Sequence, residues 1–342
     1  MSLKPCRDGL IIALLILSVP LLAGDPKSGK TREARVESTR NAPAVLWREP
    51  ADISSRNLYY GPGGQQHQPH STFTFVKEDL EGSNPKFIVK DEDGVKWTVK
   101  LGEEARPETV ASRFVWAVGY FANEDYFLAD IKIEGMPDHV KRGKKQIGPD
   151  GSIHDVRLKR HLTDEEKIGH WKWRDDPFVN TRELNGLKAM MAVINNWDLK
   201  DDNNEIYKRK DQPELIYMTS DLGASFGSNG HSFPHSHSKG YLDSYIHSKF
   251  ITRIRPDDVD FATPSRPSIM YAGKLRSYLQ RRRLTWIGKH IPRADAKWMG
   301  EMLARLSPGQ IHDAFRAGGY TPEQIEAFSQ VLQERIAELT EL

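Results

Sequence analysis

The chain of 342 residues contains a single cysteine, Cys6. No disulfide framework can form within it, and thiol catalysis in the body of the chain is excluded. An excess of either charge is also missing. Lys and Arg number 49 against 47 Asp and Glu, for a net charge of +2. Bulk electrostatics therefore gives no case for nucleic acid as a partner. The basic runs Lys141-Arg142-Gly143-Lys144-Lys145 and Arg281-Arg282-Arg283 are short and read as solvated faces. One long apolar run stands alone, the 14 residues from Leu10 to Ala23. It falls short of the ~20 residues a membrane-spanning helix needs. No internal repeat, no His-Glu-x-x-His helix and no Ser-His-Asp arrangement stands out.

Lys4 and Arg7 ahead of the apolar run, and Ala23-Gly24 after it, make residues 1–24 a signal peptide by pattern. The expected location is exported: periplasmic, secreted or the lumen of a secretory pathway. An uncleaved anchor is the alternative, and membrane contact is expected only in that case. Gly24-Asp25-Pro26-Lys27-Ser28-Gly29-Lys30-Thr31 has Walker A spacing. It lacks a preceding strand and a following amphipathic helix, so residues 25–58 are expected to be a flexible linker.

Strand signals begin at Thr72-Phe73-Thr74-Phe75-Val76, continue at Lys86 to Lys90, and recur at Val95 to Leu101. Asp93-Gly94 is a hairpin turn between the last two. A helix is expected from Pro107, with Val110, Phe114, Ala117, Val118 and Phe121 on one face. Residues 126–133 and 155–158 read as further strands around a polar insertion. From about 161 the expectation is helix and loop. Thr181 caps a helix to about Asn195, and a hairpin spans 204–218. Residues 224–268, rich in Gly, Ser, His and Pro, read as a long loop. Helices follow from about 294, Pro308 and Pro322. The expected division is 59–160 and 161–342.

The stretch that organises the chain is Asp198-Leu199-Lys200-Asp201-Asp202-Asn203, followed by Asp221-Leu222-Gly223. A carboxylate, a lysine two residues on and an amide five residues on suit phosphoryl transfer: one group orients a hydroxyl, one offsets charge, one holds metal. A hairpin between Asn203 and Asp221 would fold both toward one site.

With Lys100 on the third strand and Glu108 at the start of the next helix, these pieces resemble the protein-kinase-like superfamily over roughly residues 70–265. The likeness is to its atypical secretory-pathway and phosphatidylinositol-kinase-like branch. It implies an α+β, two-lobed protein-kinase-like fold: an N-terminal antiparallel sheet lobe plus one helix, and a C-terminal mainly helical lobe. It implies Asp198 as acceptor-orienting base and Lys200 beside the γ-phosphate. Lys100, Glu108, Gly82 and Ser83 would serve the nucleotide, and Asn203 and Asp221 the metal. The implied cofactors are ATP with Mg²⁺ or Mn²⁺, and the implied partner is a hydroxyl-bearing protein, lipid or small molecule. Transfer of a nucleotidyl group is a variant. Departures are present. Asn196-Trp197 stands where His-Arg is usual, the glycine loop is reduced to Gly82-Ser83, and no Ala-Pro-Glu motif follows. They support the alternative of a catalytically inactive binding or structural protein of the cell envelope. His231, His235 and His237 invite a zinc site, but their Ser/Gly/Pro-rich setting reads as loop.

Overall fold

Alternation of apolar and polar side chains decides the first half of the molecule. In the computed structural model, which describes residues 42–82, 84–227, 239–263, 279 and 282–342, Pro43–Leu342 belong to one unit. The expected signal peptide, the Walker-type stretch, Ser83, His231, His235 and His237 lie outside the described residues. The chain enters through β1 (Ala44–Val45). It then forms β2 (Thr72–Asp79), β3 (Lys86–Lys90), β4 (Lys96–Leu101), helix α1 (Ala105–Ala117), β5 (Asp125–Glu134) and β6 (Ser152–Arg160). Strands β2-β3-β4-β6-β5 close into a barrel. The closing pair, β2 with β5, is parallel, and the other barrel pairs are antiparallel. Phe73, Phe87, Val89, Trp97, Val99, Leu101, Val156 and Leu158 fill its interior. The pleat therefore sends Thr98, Lys100, Arg157 and Lys159 to the opposite face.

The second half carries β7 (Glu165–His170), α2 (Arg182–Val193), β8 (Asn204–Arg209), β9 (Leu215–Thr219), α3 (Leu242–Ile246), β10 (Ile251–Ile254), β11 (Asp258–Phe261) and β12 (Ile291–Pro292). It ends in α4 (Arg293–Ala304), α5 (Pro308–Ala317) and α6 (Pro322–Thr340). Ser307 and Thr321 each close a capping box, with Pro at the first helical position. A second core joins α1, α2 and the C-terminal helices. Phe315 stacks on Phe328 with centroids 5.2 Å apart, and Phe226 meets both edge-on. The α+β arrangement expected from the sequence, a sheet region with one helix followed by a mainly helical region, is the one observed.

Three expectations fail in detail. Residues 42–58 are not a linker. Leu46, Ile53 and Leu58 are buried, β1 pairs with β9, and Arg48 N–H donates to Gly119 O at 3.0 Å. Residues 165–170 are a strand on β8. It was hidden because Glu165-Glu166-Lys167-Ile168-Gly169-His170 has one apolar residue and no alternation. Part of the 224–268 stretch is ordered structure. Helix α3 is followed by the β10–β11 hairpin, and β11 also pairs with β12. Trp171 and Trp173 are buried in the second core, 4.9 Å apart. Among the described residues no helix is long and apolar enough to cross a membrane.

Candidate functional site

Register sets the first wall of the site. Lys100 on β4 pairs with Arg157 on β6, so two cations stand side by side on the outer face of the barrel. Helix α1 packs over that face. Lys100 Nζ lies 2.8 Å from Glu108 and 2.6 Å from Glu104, the residue just before the helix. It lies 3.1 Å from Asp221, which comes from the other half of the molecule. Arg157 reaches the second oxygen of Glu108 at 3.0 Å and Asp125 at 3.3 Å. Burial alone would favour neutral Lys100, but Glu108, Asp221 and Glu104 outweigh it and push the ammonium pKa up. Burial would raise Glu104 too, yet Lys100 and Lys239 hold its pKa down at about 2. Complete burial pushes the Glu108 carboxyl up against the pull of Arg157 and Lys100. With two cationic nitrogens at hydrogen-bonding distance it remains a carboxylate.

The second wall is a loop held from behind. Helix α2 starts at the Thr181 cap. At its far end Arg335 of α6 donates to Ala192 O and Val193 O at 3.2 and 3.1 Å, and Tyr245 Oη donates to Val193 O. These bonds fill the open carbonyls of a helix terminus. Asn195 then takes a left-handed φ of 57° and turns the chain. Buried Asn196 accepts from Asp198 N–H at 3.1 Å. Lys200 sits on the Asp198 carboxylate at 2.9 Å, and the Asn203 amide donates to Asp198 O. The β8–β9 hairpin does what the spacing predicts: Ser220 N–H donates to Asn203 O at 2.9 Å, so Asn203 and Asp221 sit at its open end. Leu222 and Phe226 anchor the Asp221 turn in the second core.

A cavity of about 340 Å³ is lined by Gly82, Lys100, Glu108, Asn203 and Asp221, with Arg157 and Lys159 beside them. Five of the eight expected site residues thus meet in one cleft. Asp198 and Lys200 are not in its lining, and Ser83 is outside the described residues. A second cavity of about 320 Å³ shares Arg157, Lys159 and Lys167 and extends to Ile88, Thr98, His161, Leu162 and Tyr207. His161 is held neutral: burial, then Lys159 and Lys96, push its pKa down to about 4, and it pairs with Thr98 Oγ1 at 2.7 Å. Oxygen atoms of Glu104, Glu108 and Asp221 lie within 4.8 Å of one another. Carboxylate oxygens, with the Asn203 amide in the same cavity, fit a hard divalent cation such as Mg²⁺ or Mn²⁺.

Sequence reasoning missed Glu104, Arg157 and Arg142. The signal for Glu104 was present, because Lys100, Glu104 and Glu108 are spaced by four. Arg142 belongs to a run expected to be a solvated face. Instead it donates to Gly82 O and Asp79 O, both at 2.7 Å, and fixes the glycine turn. A nucleophile-elbow spacing, expected to be absent, is present at Gly223-Ala224-Ser225-Phe226-Gly227. Its serine is fully buried and donates to Leu222 O at 2.7 Å, so it is a turn residue.

Protein-family models return no match to this chain, and neither do curated proteins. Solved structures do. A Helicobacter pylori proinflammatory kinase, CtkA, is similar at 12% identity over 80% of this chain and 94% of its own, with a TM-score of 0.38. A Golgi casein kinase is similar at 10% identity over 96% and 94%, with a TM-score of 0.35. The same enzyme with Mn/ADP bound gives 10%, 80%, 72% and 0.37.

Proposed function

We propose that this chain is a kinase-like phosphotransferase that binds ATP with Mg²⁺ or Mn²⁺ in the cleft between barrel and helices, and passes a phosphoryl group to a hydroxyl acceptor. One observation carries the proposal. Lys100 of the barrel, paired with Glu108 of α1, meets Asp221 from the opposite half at 3.1 Å, with Asn203 lining the same cavity. This is the set of parts a phosphoryl-transfer site requires, on elements in the order strand, helix, loop, hairpin. The atypical secretory-pathway or phosphatidylinositol-kinase-like assignment remains part of this proposal, and so does the division at residue 160.

In this reading Lys100 takes the α- and β-phosphates, and Gly82 borders them. The base occupies the end of the cleft near Ile88, Thr98 and Leu162. Asp221 and Asn203, with Glu108 nearby, would hold the divalent cation, which supplies charge neutralisation on the phosphates. Asp198 accepts the proton of the acceptor hydroxyl. That oxygen bonds to the γ-phosphorus, the bond to the β-phosphate oxygen breaks, and ADP leaves with the electron pair. Lys200 offsets the charge that develops. The acceptor is a hydroxyl-bearing protein, lipid or small molecule. Export rests on the pattern of residues 1–24 alone.

A second reading, a kinase-shaped binding module without transfer, is favoured by a separate observation. Asp198 and Lys200 are paired with each other outside the lined cavity. The first experiment is thermal unfolding of the full chain with and without ATP and Mn²⁺, beside Asp221→Ala. Ligand at 100 times its dissociation constant adds about 2.7 kcal/mol. A metal-dependent rise that disappears in Asp221→Ala supports the nucleotide site; no rise at millimolar ATP removes it. A phosphorylated product then separates enzyme from binding module.

A further inference from the structure

We infer that Glu104 keeps the phosphate end of the cleft closed to anions that arrive without a divalent cation, so that the site selects metal-complexed nucleotide over free phosphate compounds. This rests on the nucleotide reading above and concerns a residue that the sequence motifs did not include.

The reasoning is a count of donors. An ammonium has three N–H bonds and no more. Lys100 Nζ faces three carboxylates, Glu104 at 2.6 Å, Glu108 at 2.8 Å and Asp221 at 3.1 Å. A phosphate oxygen gains the lysine only by displacing one of them. Glu108 cannot yield, since its side chain is 1% exposed and its other oxygen holds Arg157. Asp221 is half exposed and departs when a divalent cation takes its charge. Glu104 is the one already held elsewhere, by Lys239 at 2.9 Å and by the Asn84 amide, so it can release Lys100 and keep two partners.

Charge sets the condition for exchange. Lys100, Arg157 and Lys239 face Glu104, Glu108, Asp125 and Asp221, one more carboxylate than cation, and the other charges of the lining, Lys86, Lys159 and Lys167 against Glu81, Asp202 and Glu205, are equal in number. An anion entering alone meets net negative charge in a partly desolvated cleft, where repulsion is poorly screened. With a divalent cation on the carboxylates the balance reverses, and Glu104 releases Lys100 to the phosphate while Lys239 and Asn84 go on holding it. The contact is also mechanical. A Cβ on Gly223 would lie 2.7 Å from Glu104 Cβ, so the turn carrying Asp221 rests directly on this residue.

The test uses ADP as probe, titrated calorimetrically into the full chain with Mn²⁺ or with EDTA. Wild type, Glu104→Gln and Lys239→Met are compared. The expected wild-type result is a loss of about 100-fold in ADP affinity on removing the metal. In Glu104→Gln free ADP binds better and that ratio falls to about tenfold or less. Lys239→Met removes the cation that keeps Glu104 paired when it releases Lys100, and raises the ratio above that of wild type. A metal requirement equal in Glu104→Gln and wild type overturns the proposal, as does an unchanged ratio in Lys239→Met should Glu104→Gln not fold. A merely structural role lowers both affinities in step and leaves the ratio alone, which also overturns it. If wild type binds ADP in neither condition, the nucleotide reading falls first and this inference with it.

Discussion

The two walls of the cleft are built by opposite rules. On the barrel wall, Lys100 and Arg157 occupy adjacent rungs of a closed sheet, and Glu108 and Asp125, their carboxylate partners there, are almost wholly buried. On the loop wall, Asp198 and Lys200 pair at 2.9 Å with side chains 22% and 32% exposed, on irregular backbone. A buried ion network is costly to break because the surviving charge has no water to return to. A half-exposed pair contributes little to stability. The barrel wall is therefore tied to folding, while the loop wall is free to serve chemistry. Removing one charge from each wall should have effects of very different size.

The largest effect is expected from Glu108→Ala. It removes the buried carboxylate that Lys100 and Arg157 share, leaves Arg157 with Asp125 alone, and should cost about 3–5 kcal/mol in denaturant unfolding. A loss below about 1 kcal/mol would erase the contrast between the walls. Gly223→Ala joins them by a clash: the new Cβ meets Glu104 at 2.7 Å. A cost of about 2 kcal/mol follows from overpacking, and a neutral result would mean that the turn is free of the helix.

A smaller effect is expected from pH. His161 has its folded pKa depressed to about 4 from 6.5. The unfolded chain binds the proton more readily, so this contribution to stability is complete above pH 6.5 and fades as pH falls toward 4. His161→Gln should flatten the stability curve in that window, read as the unfolding midpoint against pH. The smallest change in stability is expected from Lys200→Met, within about 1 kcal/mol. The same substitution should lower any phosphoryl transfer by on the order of 10²-fold. Loss of stability without loss of transfer would reverse the assignment of the two walls.

Legibility followed the same divide. Asp198, Asn203 and Asp221 were visible because their spacing is local and the hairpin between them has its own strand signal. Lys100 and Glu108 were visible as a strand lysine and a helix-start glutamate. Arg157 was not singled out, because its place beside Lys100 comes from a β4–β6 pairing that skips over α1 and β5. Glu104 was missed because α1 begins at Ala105 rather than at Pro107, which brings Glu104 back over Lys100. The β10–β11 hairpin was obscured by short strands, Ile251–Ile254 and Asp258–Phe261, inside a stretch of loop-like composition. Pairing with β12, from well down the chain, supplies what local propensity does not.

The strand at Ala44–Val45 imposes an order on assembly. Its partner, Leu215–Ile216, comes much later in the chain, and Gln310 later still donates to Ile53 O and Arg56 O. A segment made early must wait for segments made late, and closing so large a loop has an entropic cost that local hairpins do not meet. In a chain synthesised or translocated from its N-terminus, the first lace is threaded at the outset and tied at the end. The same early segment supplies bonds from Trp47 and Arg56 to the last carbonyls of α1. The segment that braces the helix carrying Glu108 is itself held from the far end of the chain, through Gln310.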